Sequence, residues 1–161
     1  MRRLNPTLFA LCVAAPALLA AQEHHPPRFE DYPVTRTYDG EPAPVDLTSA
    51  SWARRFRTVL RRGAANGPNF AGELTVVEWG CGTSCQQAAI IKTRTGRIVG
   101  PLLTLTRGAD YWIDSRLMVV DPVQAGDSVS GFEPPFVRYF AWTGKRMVLI
   151  DSIPARAPRQ R

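Results

Sequence analysis

Apolar positions recur along this chain with two different periods. Between residues 52 and 63, Trp52, Phe56, Val59, Leu60 and Gly63 fall at the spacing of one helical face, and Arg54, Arg55, Arg57, Arg61 and Arg62 occupy the remainder. The spacing predicts an amphipathic helix, capped by Thr48 or Ser49 and stopped at Gly63. Its apolar side is expected to pack on a sheet with the arginines in water; a basic helix lying on an anionic membrane is the alternative.

After the helix the pattern shortens to strands separated by turn residues. The expected strands are Glu73 to Trp79, Gln87 to Arg94, Arg97 to Val99, Leu102 to Thr106, Arg116 to Val120, Phe136 to Trp142 and Arg146 to Asp151. Thr95-Gly96 and Thr143-Gly144 stand where hairpin turns belong. The connections are too short for crossover helices. The expected fold is therefore α+β: a mainly antiparallel sheet of about six to seven short strands, with one amphipathic helix packed on it. Residues 47–153 form the expected single domain, 22–46 an extended lead-in rich in Pro, Glu and His, and 154–161 a disordered basic tail.

The first residues change the picture of where the protein works. Arg2 and Arg3 precede an apolar stretch, Thr7 to Ala21, that is interrupted by Pro16 and ends in small residues. This is the pattern of a secretory signal peptide over residues 1–21, cleaved after Ala21, and it is too short for a membrane span. Cys12 lies inside the apolar stretch and not at a lipoprotein cleavage site. A periplasmic or secreted protein without a stable membrane anchor is expected. The net charge of +6 includes Arg2 and Arg3 and the tail residues Arg156, Arg159 and Arg161, so the folded body is closer to neutral. No nucleic-acid partner is expected on that balance.

Cys81 and Cys85 stand in the segment GPNFAGELTVVEWGCGTSCQ, residues 67–86, flanked by Gly80 and Gly82 at the apex of a predicted hairpin. In an oxidising compartment two cysteines so placed are expected to form a local disulfide, worth roughly 2 kcal/mol through loop entropy. A redox pair or a metal site are the alternatives. Disulfide oxidoreductases typically place their cysteines with two intervening residues at a helix start, and zinc would need two more ligands.

Catalytic patterns are sparse. The histidines, His24 and His25, lie in the lead-in, and neither a G-x-S-x-G elbow nor a phosphate-binding glycine loop occurs. Glu73 and Glu78 are an odd number apart on one predicted strand and so face opposite ways. Asp110 and Asp114 read as a solvated loop. No catalytic residue and no cofactor is assigned. Cleavage after Ala21 would start the mature chain at Gln22-Glu23-His24, where His24 and the free amine form a candidate square-planar site for Cu(II) or Ni(II).

The blocks Gly67 to Gly72, Trp79 to Gln86, Thr95-Gly96, Asp114 to Leu117 and Tyr139 to Gly144 resemble a family of small uncharacterised secreted bacterial proteins. A second and weaker similarity is to the Ivy-type lysozyme inhibitors. That similarity implies a helix on an antiparallel sheet and a disulfide-closed loop that enters the lysozyme cleft. Here the loop is one residue shorter and lacks the histidine and acidic residue that do the inhibiting in that family, and Thr83 and Ser84 offer only hydroxyls. Two function classes follow. One is a binding or inhibitory module that presents the Cys81–Cys85 loop to an envelope protein or secreted hydrolase, with Trp79, Gly82, Thr83, Ser84 and Gln86 as contact residues. The other is a thiol-dependent redox enzyme using Cys81 or Cys85.

Overall fold

The computed structural model describes residues 24–123 and 135–155. Two four-stranded antiparallel sheets and one helix make an α+β fold. The first sheet contains β1 (Leu74–Gly82), β2 (Cys85–Lys92), β3 (Arg97–Ile98) and β4 (Leu103–Leu105), with β2 at its centre. The second runs in sequence order through β5 (Ala109–Tyr111), β6 (Leu117–Val120), β7 (Phe136–Trp142) and β8 (Met147–Pro154). The three-residue strand β5 is absent from the sequence expectation, because Ala-Asp-Tyr is too short to show an alternation. Asp110 therefore sits on a strand and not in a loop, while Asp114 is in the exposed turn that follows.

Burial on both faces explains why β2 reads as an unbroken apolar run. Ala88 and Ile90 face the second sheet, joining Leu74, Val76 and Leu105 from the first sheet and Met118, Val120 and Trp142 from the second in one core cluster. Ala89 and Ile91 face the other way, with Val77 and Ile98, against the helix. The same division holds on β6, where Leu117 and Val119 turn outward onto Val137, Phe29 and Tyr32. A two-residue period thus survives in the packing while every position of β6 is buried.

The helix begins as a 3₁₀ turn, Ala53–Phe56, and continues as α1, Arg57–Ala64. Its apolar face is the expected one and it ends at Ala64, one residue past the predicted stop, but the predicted cap is not used. Thr48 and Ser49 belong to a separate turn in which the Asp46 carboxylate accepts from the Thr48 amide and hydroxyl, and Ser49 Oγ accepts from the Ile98 amide. Gly63 is helical, and a side chain there would collide with the methyls of Val77, so this glycine sets the distance between α1 and β1. The helix ends at Ala64, and the chain then turns away through Gly67, which has φ +81° and donates its amide to the Ala64 carbonyl.

The segment after the helix braces the open edge of β1. Asn69 donates from Nδ2 to the Val76 carbonyl and accepts at Oδ1 from the Val76 amide, at 3.0 and 2.7 Å. A side-chain amide so placed stands in for a neighbouring strand and blocks further pairing there. The lead-in is aperiodic but well bonded: the amides of Val34, Tyr38, Ala43 and Asp46 donate to the carbonyls of Asp114, Gly72, Thr93 and Gly96. It straps the two sheets together.

Asp121 ties the loop after β4 to the second sheet. It is buried with φ +57°, accepts the amides of Thr106 and Arg107 at 2.6 and 2.9 Å, and pairs with Arg138 at 3.0 Å. Removing it strands two amides and leaves the Arg138 guanidinium with the Thr104 carbonyl but no counter-charge. Asp121→Ala is expected to cost about 2–3 kcal/mol in chemical denaturation. Asp121→Asn is expected to lose less, since it keeps an acceptor and a residue type that tolerates positive φ.

Candidate functional site

The β1–β2 hairpin carries the candidate site at its free end. Pairing is regular from Leu74↔Lys92 to Gly80↔Gln86 and then shifts, so that Cys81 bulges and Gly82 pairs with Cys85. The disulfide joins Cys81 to Cys85 across this irregularity, with Cα atoms 5.1 Å apart, and Thr83 and Ser84 form the turn. Gly82 has φ +140°, which glycine adopts freely. Ser84 has φ +52°, a left-handed conformation that costs a residue with a Cβ roughly 1–2 kcal/mol. Closure by the disulfide holds the turn in that shape.

Residues 80–84 and Gln86 are exposed. A Cβ built at Gly80 or Gly82 would meet no atom within 4 Å, so the tip stands clear of the body. Trp79 is placed differently from the other predicted contact residues. Its ring lies 4.9 Å from that of Phe56, and its Nε1 donates to Gln87 Oε1 at 3.1 Å. It is a half-buried buttress on the helix side, one pair below the exposed crown of Gly82, Thr83, Ser84 and Gln86.

The opposite face of the hairpin holds a group that its sequence spacing did not reveal. Tyr111 on β5 lies close enough to Glu78 on β1 for the two side chains to affect each other's titration. Burial raises the Glu78 carboxyl above its usual range, and nearby Asp110 adds to the rise while the Tyr111 hydroxyl opposes it. Burial, then the Glu78 charge, raises the Tyr111 phenol as well. Glu73 is engaged elsewhere, on Trp142 Nε1 at 3.0 Å and Lys92 at 3.3 Å. The two glutamates have separate partners, and neither pairs with the other.

His24, the candidate metal ligand, donates from Nε2 to Asp151 on β8 at 2.7 Å. Gln22, whose amine the copper site requires, lies outside the described residues, as do residues 1–21, the expected signal peptide, and residues 156–161 of the expected tail. Among the described residues no group of three or more His, Cys, Asp or Glu is arranged to hold a metal ion, and no helix is long and apolar enough to cross a membrane. No protein-family model, curated protein or solved structure matches the chain.

A carboxyl with a raised pKa in the folded state binds more protons folded than unfolded. Its contribution to stability therefore falls as pH rises from near the unfolded value of 4.5 through the folded one. Glu78→Gln removes that titration. Melting temperatures measured between about pH 4 and 8 are expected to show wild type losing ground against the variant as pH rises. Parallel curves would mean that burial does not perturb Glu78.

Proposed function

We propose that this domain is a non-catalytic binding module whose contact surface is the Cys81–Cys85 hairpin tip. The observation that carries the reading is the contrast along one hairpin. Its base is packed between the helix and the second sheet, and its disulfide-closed end is bare. A loop already fixed in shape loses little conformational entropy on binding, so a small polar crown can support useful affinity.

The crown offers the Thr83 and Ser84 hydroxyls, the Gln86 amide and open backbone at Gly80 and Gly82. Such a narrow, convex, largely uncharged tip suits a concave partner surface, such as the cleft of an envelope protein or secreted hydrolase. The similarity to Ivy-type inhibitors makes lysozymes the first baits. Exposure of Cys81 also supports the second reading, in which the bridge exchanges with thiols as a redox centre.

The two readings separate in a pull-down on the immobilised protein, run against a lysozyme panel and envelope extract. Two variants accompany wild type: Thr83→Arg, which keeps the bridge, and Cys81→Ser/Cys85→Ser, which is expected to lose about 2 kcal/mol of stability yet remain folded. The binding reading expects a partner held by wild type, lost with Thr83→Arg and weakened in the double variant. Equal capture by all three proteins would remove the tip from the interface. Capture as a mixed disulfide, reversed by reductant, would favour the redox reading.

A further inference from the structure

A groove of about 920 Å³ lies between the lead-in and both sheets, with the strip 33–39 on one side and Glu73, Arg94, Arg116 and Trp142 among its other walls. That volume lies within the range of small-molecule sites. Its distinguishing feature is three guanidinium groups, from Arg36, Arg94 and Arg116, none of which pairs with a carboxylate among the described residues.

Each arginine is placed without its charge being neutralised. Arg94 lies over the Tyr38 ring, 4.7 Å from its centre. Arg116 is half-buried and donates from Nε to the Pro33 carbonyl and from Nη1 to the Trp142 carbonyl, at 3.2 and 3.3 Å. Two neutral oxygens orient this guanidinium but supply no counter-charge, and a guanidinium has further N–H donors to give. Arg36 is exposed and holds no group in place. Of the two carboxylates on the walls, Glu73 is committed to Trp142 and Lys92. Asp39 is exposed and makes no ion pair with any of the three arginines.

We propose that this groove binds a small oxyanionic ligand, with Arg116 and Arg36 gripping its carboxylate or phosphate oxygens and Arg94 on the rim. The planar fork of a guanidinium matches either oxyanion with two parallel hydrogen bonds. Arg116 is pre-oriented by its backbone contacts, so little order is lost when the anion arrives. The site shares no residue with the hairpin tip and does not depend on the tip's role.

The test is calorimetric titration of the whole described domain with its flanking residues, using citrate and pyrophosphate as separate probes at fixed ionic strength. Saturable binding of one anion per chain is expected, with a dissociation constant at or below about 1 mM. Arg116→Gln and Arg36→Gln are each expected to weaken it about tenfold or more, and Arg61→Gln on α1 to leave it unchanged. Because Arg116 also ties Pro33 to Trp142, Arg36→Gln carries the test if Arg116→Gln does not fold. Saturation by citrate alone would assign carboxylate ligands, and by pyrophosphate alone phosphate ligands. No saturation with either probe, or equal weakening by Arg36→Gln and Arg61→Gln, would overturn the proposal.

Discussion

Leu74, Val76 and Val77 of β1 and residues 88–91 of β2 put apolar side chains on both faces, so the hairpin they form needs cover on two sides at once. Much of the remaining architecture meets that demand. The helix covers one face through Leu60, Ala53 and Ala64, with Gly63 allowing its backbone to approach Val77. The second sheet covers the other face through Met118, Val120 and Trp142. Chain beyond the reach of this double cover has no apolar anchor, and there the sequence changes to Gly-Cys-Gly-Thr-Ser-Cys. The disulfide supplies locally the order that burial supplies further down.

The second sheet needs cover of its own on the side away from the hairpin. It finds part of it in Phe29 and Tyr32, which pack with Leu117, Val119 and Val137. The lead-in that delivers them continues across both sheets through backbone hydrogen bonds, and between this strap and the sheets lies the arginine-lined groove. The tip and the groove thus arise from the same layering. One is where a strand pair outruns its cover, and the other is where the strap spans a gap.

Legibility in the sequence followed the length of each pattern. The helix face, the final hairpin and the cysteine apex each repeat a signal over several residues, and the structure contains all three. Strand β5 is too short to repeat anything. The division into two sheets was hidden because period-two alternation names the faces of a strand and not its neighbours. Gly63 shows how one residue type serves two purposes: a glycine near a helix end reads as a stop, yet here it relieves contact with Val77. Within the site, the sequence put the crown at a hairpin apex without showing whether it is exposed, and Trp79 as a buttress depended on Phe56 arriving from the helix. Glu78 with Tyr111, and Arg36 with Arg116, come from distant segments that no spacing rule connects.

The central claim is that the hairpin end is a bare surface held rigid before any partner arrives. Backbone order parameters of Thr83 and Ser84, measured by NMR relaxation on the free oxidised protein and on Cys81→Ser/Cys85→Ser, test it most directly. The account expects values near about 0.85 in the oxidised protein and a fall toward 0.6 or below in the variant. Low values already present in the oxidised protein would contradict it, because the tip would then have to be ordered at binding.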